Sequence, residues 1–499
     1  MLAQFFARKP IAAETERGLI RTLGAGDLIM LAIGAVIGAG IFSSLGTAAA
    51  GEIARDGTVI RAGAGPALIL SFLLLGAVCG LAALCYAELA SMIPQAGSAY
   101  AYTYATLGEM LAWIIGWDLI LEYAVGNIAV AVAWSGYFVS LLSGFGITLP
   151  PWLTHGYLQA TTSNDAAVHG LLETAPHIGG VPIILNLPAF AIVALITWLL
   201  LRGVRESARA NNIMVAIKLA VLALFVIVGA QHINPANYVP FAPNGFRGIH
   251  QGAAIVFFAY IGFDAVSTAA EETKNPQRNL PIGILGGLAI CTLIYVIVGA
   301  VATGIVPYQQ LAASDPLARA LELAGLHKTS WIVAAGAVVS LSAVLLVFQY
   351  GQPRIFFGMA KDGLMPRWAA KVHPKTRVPH VTTIITGVFV GLGALGAEEN
   401  MIYDLTNIGT LAAFALVCVG VLVLRVREPE RPRGFRVPFI WVVAPLGAAA
   451  CLFVMKGLPR TAWERFGIWL VLGVVLYFAY GYKNSVLRTG RDVVTDNLD

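Results

Sequence analysis

The sequence predicts an all-α integral membrane protein, and three observations support this fold class. Of the 499 residues, 58% are hydrophobic and only 12% are charged, whereas a soluble domain carries about 25% charged residues. The mean hydropathy is +0.77. The apolar residues fall into stretches of roughly 20 or more, the length that a helix needs to cross a membrane. This composition excludes a soluble protein, and the net charge of +5 needs no nucleic acid partner to explain it.

Twelve stretches reach this length, and we number them spans 1 to 12 in chain order. They cover residues 27–50, 66–92, 104–143, 183–202, 210–231, 249–271, 281–306, 329–358, 379–397, 402–424, 436–457 and 465–483. Residues 1–26 and 484–499 are predicted to lie outside the membrane. Because residues 1–26 contain no short apolar core with a cleavage site, we expect no signal peptide.

The positive charges predict the orientation of the chain. With the N-terminus in the cytoplasm, the cytoplasmic segments carry 23 Lys and Arg residues and the external segments carry 8. Cytoplasmic loops of membrane proteins are enriched in these residues. We therefore expect a multi-pass protein of the plasma membrane, the inner membrane in a bacterium, with both termini in the cytoplasm.

Span 1 contains an unusual glycine-dense run, GAVIGAGIF, at residues 34–42. Because glycine costs roughly 0.5–1 kcal/mol against alanine in a helix interior, this run predicts a helix that breaks at membrane depth. Broken backbone at that depth lines a cavity or is buried in protein. The amides of Gly38, Ala39 and Gly40 would begin the second half-helix and attract a carboxylate. Alternatively, these glycines only allow close helix packing.

Span 6 repeats this pattern with FFAYIGFD at residues 257–264. Corresponding broken helices in two halves of a chain indicate a binding site between inverted repeats of a transporter. The sequence therefore predicts a first repeat at 27–231, containing spans 1 to 5. The second repeat is predicted at 249–424, containing spans 6 to 10, with spans 11 and 12 peripheral at 436–483. No Walker-type loop is present, so ATP is not predicted to drive the protein.

Four segments resemble the amino acid–polyamine–organocation superfamily. They read IGAVIGAGIF at 33–42, YAELASMIPQAGSAYAY at 86–102, FFAYIGFDAVSTAAEETKNPQRNLP at 257–281 and FQYGQPRIFFGMAKDGLMP at 348–366. Within this superfamily the chain is most similar to bacterial members of the cationic amino acid transporter family, over residues 19–424. The resemblance implies a LeuT-like fold of twelve helices with a five-plus-five inverted repeat. It also implies amino acid transport by alternating access.

The resemblance also implies how a substrate would be held. Its carboxylate would bind at Gly38, Ala39 and Gly40. Its ammonium would meet backbone carbonyls that the two breaks release, namely those of Val36, Ile37, Phe258, Ala259 and Ile261. Phe258 resembles the aromatic gate that covers the substrate in relatives. The alternative for Phe258 is an ordinary aromatic residue of the core or the lipid face.

Lys218 lies within span 5. A lysine at membrane depth costs about 2.5–3.5 kcal/mol on insertion scales, so it is a functional candidate by default. In proton-coupled relatives, a lysine in span 5 places its ammonium where sodium-coupled relatives bind a cation. The resemblance therefore implies a proton-coupling role for Lys218. The alternative is snorkelling, because Asn211 is only seven residues away, roughly 10 Å along a helix.

Glu122 and Asp118 lie four residues apart in span 3 and share one helix face. A buried carboxylate needs a partner or a proton. In the family the position of Glu122 borders the binding region, where it would favour a cationic side chain or help to hold a proton. The alternative is a structural polar pair inside the bundle, which is the reading we adopt for Asp118.

These features predict a proton-coupled symporter that imports L-amino acids, with the proton gradient as energy source and no cofactor. The expected substrates are small neutral amino acids such as alanine, with cationic ones such as arginine as the alternative. Two other readings are an exchanger of the same fold and a transport-dead amino acid sensor. The partners expected are the substrate and the lipid bilayer, whereas a small membrane partner or a bound lipid leaves no mark in the sequence.

An enzyme is not expected, because the sequence shows no nucleophile–base set and no metal-ligand spacing. The five cysteines all lie in apolar stretches, where they are typical of small buried apolar residues.

Overall fold

The computed structural model describes residues 7–9, 22–93, 98–163, 165–203, 208–373, 376 and 378–490. Most of the predicted N-terminal segment 1–26 therefore lies outside the described residues. The expectation that it contains no signal peptide concerns the same segment and stays a prediction. The same holds for residues 491–499 of the predicted tail 484–499.

Helices of membrane length dominate the described residues. Eight of them are long and apolar enough to cross a membrane: Gly65–Met92, Glu109–Gly144, Asn211–Ala230, Gly245–Ser267, Pro276–Ile305, His327–Lys361, Glu399–Arg427 and Arg460–Thr489. A further pair, Ala25–Val36 and Gly40–Ala50, is bent by 45° and passes the same test together. The chain is thus a multi-pass membrane protein, while the count of twelve spans and the inverted repeat stay predictions.

Spans 4, 9 and 11 correspond to shorter apolar helices, Leu187–Leu201, His380–Gly396 and Ile440–Met455. Spans 4 and 11 begin later than the hydropathy predicts. The Asn186 side chain accepts a hydrogen bond from the Ala189 amide at 3.2 Å and caps the start of span 4. Before span 11, Phe439 has a positive φ of 48°, which is incompatible with a continuing right-handed helix.

The long helix of span 3, Glu109–Gly144, forms the centre of the bundle and packs against spans 8 and 10. The first half of span 1 packs against spans 5 and 7. Span 12 is attached to span 3 by an aromatic stack, in which the rings of Trp117 and Trp469 lie 4.3 Å apart. Spans 3, 5, 7, 8 and 10 therefore form the framework that holds the broken spans.

The membrane part is all-α, as predicted, but two small hairpins of strands lie in the predicted external connections. Strands Gly51–Ile53 and Val59–Ala62 pair antiparallel between spans 1 and 2. Strands His177–Ile178 and Val181–Pro182 do so before span 4. The connection before span 4 also contains the short helices Tyr157–Thr162, Ala166–His169 and Leu171–Thr174, and the helix Pro316–Leu323 lies between spans 7 and 8.

On the predicted cytoplasmic side, the start of span 1 is attached to the end of span 6. The amides of Thr22 and Leu23 donate to the Glu272 carbonyl at 2.9 and 3.0 Å. The Lys274 amide donates back to the Leu23 carbonyl at 2.8 Å. The two broken spans are thus joined directly by backbone hydrogen bonds at this end.

Candidate functional site

Span 1 breaks within the glycine run. Its first helix, Ala25–Val36, ends where Ile37 adopts an extended conformation with ψ 99°. The chain resumes as a π-helical turn, Gly40–Ser44, which continues into the helix Leu45–Ala50. The amides of Gly38, Ala39 and Gly40 therefore stand at the beginning of the second half-helix, where the first amides of a helix have no intrahelical acceptor.

Span 6 breaks at the corresponding place, inside the membrane-length segment Gly245–Ser267 counted above. The helix Gly245–Val256 tightens into a 3-10 turn, Phe257–Tyr260, and then Ile261 is extended with ψ 133°. Gly262 follows with φ 115°, a conformation that L side chains rarely adopt. The chain then continues as the 3-10 helix Phe263–Glu272. Both breaks predicted from the glycine patterns are thus present in the structure.

The two breaks touch each other directly. A Cβ atom placed on Gly40 would lie 2.1 Å from the Ala259 Cα, so the two backbones meet where no side chain fits between them. A Cβ on Gly38 would lie 3.2 Å from the Val344 side chain of span 8. Close packing therefore accounts for Gly40, and its role in binding a carboxylate stays a prediction.

Lys218 reaches the break of span 1 from span 5. Its ammonium donates to the carbonyl oxygens of Gly34 and Ile37 at 2.8 and 2.9 Å. The residue is only 1% exposed. Snorkelling would carry the ammonium to the membrane surface, whereas this ammonium lies inside the bundle on the last turn of the first half-helix.

Tyr295 of span 7 is a residue that the sequence analysis missed. Its hydroxyl lies 2.9 Å from the Val36 carbonyl oxygen and 2.8 Å from that of Ala259, and so bridges the two breaks. Of the carbonyls expected to meet an ammonium, that of Ile37 already accepts from Lys218, and those of Val36 and Ala259 share the single hydrogen of the Tyr295 hydroxyl. A carbonyl oxygen has two lone pairs, so each can still accept a second donor.

Phe258 packs its ring against Tyr403 of span 10, with ring centroids 4.7 Å apart. Phe258 is buried where span 6 faces span 10. Lipid exposure, one part of the alternative reading, does not apply to it. Its role as a gate stays a prediction.

A small cavity lies beside the two breaks. Its walls come from spans 1, 3, 6 and 8 and are formed by Ala35, Glu122, Tyr123, Ile261, Gly262, Asp264, Ala265, Val344, Val347 and Phe348. Glu122 is 3% exposed, and its Oε2 has no hydrogen-bond partner among the described residues. The structure thus brings Glu122 and Ile261 to one cavity. Asp118 instead lies against span 10, since a Cβ on Gly409 would come within 2.4 Å of its Oδ1.

On the predicted external side, the outer half of span 1 is attached to the beginning of span 10. The Ser43 hydroxyl and the Tyr403 hydroxyl both donate to the Glu399 Oε1 atom. The Tyr137 hydroxyl of span 3 also donates to the Phe42 carbonyl. These contacts join spans 1, 3 and 10 next to the Tyr403 ring on which Phe258 packs.

The hairpin of strands Gly51–Ile53 and Val59–Ala62 is joined to span 10 by a buried ion cluster. The Arg61 guanidinium makes two hydrogen bonds of 2.9 Å to the Asp404 carboxylate and one of 2.7 Å to that of Glu52. The Arg61 and Asp404 side chains are only 5% and 4% exposed. Arg61 and Asp404 are 343 residues apart in the chain, so no local sequence signal could have paired them.

Among the described residues, no group of three or more His, Cys, Asp or Glu side chains is arranged to hold a metal ion. The five cysteines are buried free thiols.

Comparisons with known proteins agree with this architecture. Residues 23–485 match the family model for amino acid permeases. The chain is 44% identical to a methylthioribose transporter and 45% identical to the branched-chain amino acid permease BcaP, both from Bacillus subtilis (strain 168). Each alignment covers 98% of this chain and 100% of the relative. Cationic amino acid transporter 9, chloroplastic, of Arabidopsis thaliana is 39% identical over 93% of this chain and 79% of the relative.

Proposed function

The chain belongs to the amino acid permease family, and from that premise we propose that it is a proton-coupled symporter that imports an L-amino acid by alternating access. The position of Lys218 carries this proposal. Its ammonium donates to Gly34 and Ile37 at the point where span 1 breaks. Loss of its proton would weaken both charge-assisted bonds, so the protonation state of Lys218 would be linked to the geometry of the break.

The broken helices would recognise the backbone of the substrate. The carboxylate would bind the amide end of the second half-helix at Gly38, Ala39 and Gly40. The ammonium would meet carbonyl oxygens of the two breaks, namely those of Val36, Ile37, Phe258, Ala259 and Ile261. Because these groups recognise any α-amino acid, selectivity would depend on the walls of the adjoining cavity.

The cavity walls favour a neutral aliphatic side chain. Val344, Val347 and Phe348 of span 8 supply apolar surface. The cavity is small, which suits alanine, and the relative named as a branched-chain amino acid permease suggests larger aliphatic substrates as well. Glu122 is the observation that favours a cationic amino acid such as arginine.

We further propose that spans 1 to 12 all cross the membrane, with spans 1 to 5 and 6 to 10 as inverted repeats. The two broken helices lie five spans apart, as such a repeat requires. The bias in Lys and Arg supports an orientation with both termini in the cytoplasm, and we propose the bacterial inner membrane as the location. We propose that the proton gradient supplies the energy and that the protein uses no cofactor.

The test is uptake of labelled alanine by purified protein in sodium-free liposomes, with an inward proton gradient and with the gradient collapsed. We expect gradient-driven uptake in the wild type and in Lys328→Ala, an exposed control, but not in Lys218→Ala. Excess unlabelled isoleucine, arginine or methylthioribose would report the substrate class by competition.

Two results would contradict the proposal. Uptake that ignores the gradient but requires internal amino acid would identify an exchanger. Binding of alanine without any uptake would identify a sensor.

A further inference from the structure

We propose that Glu399 is a positioning residue for the aromatic gate. Through Tyr403 it holds Phe258 above the two breaks, and through Ser43 it ties that gate to the outer half of span 1. This inference rests on the proposed role of Phe258 as a gate.

The geometry brings two elements, spans 1 and 10, to a single oxygen atom. Glu399 begins the helix of span 10, Glu399–Arg427. Its Oε1 accepts a hydrogen bond from the hydroxyl of Ser43, which lies in the π-helical turn of span 1, and one from the hydroxyl of Tyr403, one turn further along span 10. The Tyr403 ring in turn packs on the Phe258 ring.

Both hydroxyls that donate to this carboxylate are buried. Ser43 and Tyr403 are 2% and 1% exposed. Hydrogen bonds to a carboxylate are stronger than those between neutral groups, and a buried hydroxyl left without an acceptor is destabilised by the full cost of its desolvation. Removing the carboxylate would therefore free the Tyr403 ring to move, and Phe258 would lose its packing partner.

The neighbouring charges are already occupied elsewhere. The Glu398 carboxylate caps its own helix through the amides of Asn400 and Met401 at 3.1 and 2.9 Å. Arg61 is bound to Asp404 and Glu52. Among the described residues, no ion pair involves Glu399, so this carboxylate serves to hold two hydroxyls and not to balance a cation.

This arrangement couples two movements that external access requires. Phe258 must leave its position over the breaks, and the outer half of span 1 must separate from span 10. Separation of span 1 from span 10 breaks the Ser43 hydrogen bond to Oε1. The other hydrogen bond to the same atom fixes the Tyr403 ring on which Phe258 packs, so this separation would loosen the packing that holds Phe258. Glu399 would thus make the opening of the external side a single cooperative event.

The test measures accessibility beneath the gate and needs no substrate. Ala39, which is buried at the break, is replaced by cysteine, and a membrane-impermeant thiol reagent is applied to either face of proteoliposomes. The chain without the introduced cysteine supplies the background from the five native cysteines. The labelling rate of Ala39→Cys is then compared alone and combined with Glu399→Ala, Tyr403→Phe or Ser43→Ala.

We expect Glu399→Ala to raise labelling from the external face about fivefold, which is the scale of one or two lost hydrogen bonds. Tyr403→Phe and Ser43→Ala should each give a smaller rise. Glu399→Ala combined with Tyr403→Phe should not exceed Glu399→Ala alone, because both remove the same interaction. Glu322→Gln removes an exposed carboxylate of the neighbouring helix Pro316–Leu323 and should leave labelling unchanged.

Unchanged labelling in Glu399→Ala would overturn the proposal, as would an equal rise in Glu322→Gln. If Glu399→Ala does not fold, Glu399→Gln keeps the side chain's size and one acceptor oxygen, and a smaller rise is expected from it; no rise in Glu399→Gln or Tyr403→Phe would equally overturn the proposal. If labelling responds as expected but the wild type transports no amino acid, the proposed function fails and the role of Glu399 stands. If transport occurs as proposed and labelling does not respond, Glu399 has no positioning role.

A kinetic measurement separates positioning from general destabilisation. In a transporting protein, Glu399→Ala should raise the KM for external substrate about fivefold and change the maximal rate less. A lower maximal rate with an unchanged KM would indicate only fewer folded molecules and would contradict the proposal.

Discussion

The Lys218 ammonium lies 2.9 Å from the carbonyl oxygen of Ile37, which is the first residue of span 1 to leave the helix. The same ammonium also holds the Gly34 carbonyl, one turn earlier. A cation from span 5 therefore stabilises the end of the first half-helix, where intrahelical donors run out.

If Lys218 exchanges a proton, a substitution that keeps the positive charge at position 218 but cannot release a proton should preserve folding and abolish coupling. Lys218→Arg keeps a cation that stays protonated at all physiological pH values, so the protein should fold but lose gradient-driven uptake by about tenfold or more. Lys218→Ala should also lose thermal stability, because two carbonyls lose their donor. Uptake and melting temperature of both variants check this. Normal gradient-driven uptake in Lys218→Arg would exclude Lys218 as the proton site.

The contact between the two breaks predicts that Gly40→Ala is poorly tolerated. The new Cβ would lie 2.1 Å from the Ala259 Cα, and overpacking of this kind costs about 1–3 kcal/mol. Gly80→Ala in span 2 is the matched control, because a Cβ there meets nothing within 4 Å. The yield of folded protein and its melting temperature should fall only for Gly40→Ala, and equal behaviour of the two would contradict the close approach.

The bridge made by Tyr295 predicts a moderate defect in Tyr295→Phe. The hydroxyl joins Val36 to Ala259, and a typical hydrogen bond contributes about 0.5–1.5 kcal/mol. Substrate affinity and melting temperature should both fall, since the two breaks lose their link. Tyr157→Phe changes an exposed tyrosine in the same way and should have no effect on either measurement.

The buried ion cluster predicts a large effect of Arg61→Met. Breaking one side of a buried pair costs about 3–5 kcal/mol, because the Asp404 charge would be left buried without its partner. Arg460→Met is the control, since Arg460 pairs with Glu464 but is 91% exposed. The melting temperature should drop strongly only for Arg61→Met, and adding Asp404→Asn should recover part of the loss.

The burial of Asp315 leads us to expect that the stability of the protein depends on pH. Burial raises the pKa of Asp315 to about 6 from its ordinary value of 3.8, even though the Ser140 hydroxyl donates to it. Because the folded protein then holds this proton more tightly than the unfolded chain, the contribution of Asp315 to stability is greatest below about pH 4 and is lost as the pH rises to 6. Asp315→Asn should flatten the melting temperature between pH 4 and 6, whereas Glu173→Gln, which changes an exposed carboxylate before span 4, should not. An unchanged slope in Asp315→Asn would contradict this assignment.

The sequence predicted those parts of the fold that depend on local pattern. Apolar runs located the spans, and the glycines at 34–42 and at Gly262 located both breaks, because helix length and glycine conformation are properties of neighbouring residues. Span 4 begins later than predicted because hydropathy does not detect the cap that Asn186 provides.

The site was predicted less completely, because its contacts join distant parts of the chain. Tyr295 and Val36 are 259 residues apart, and no periodicity within one helix reaches that far. The same limit hid the hydroxyl cluster at Glu399. Lys218 could be singled out because a cation within an apolar run is conspicuous in any order of the helices.

The approach of Gly40 to Ala259 also restricts how this protein can diversify. Glycine and alanine are the two smallest residues, so a larger residue at either position cannot be compensated by a smaller one at the other. A homologue that transports a bulkier substrate must therefore keep the contact between Gly40 and Ala259 and carry smaller side chains in the cavity walls instead. Substitutions that change substrate selectivity should therefore accumulate in spans 3 and 8, while positions 40 and 259 keep small residues.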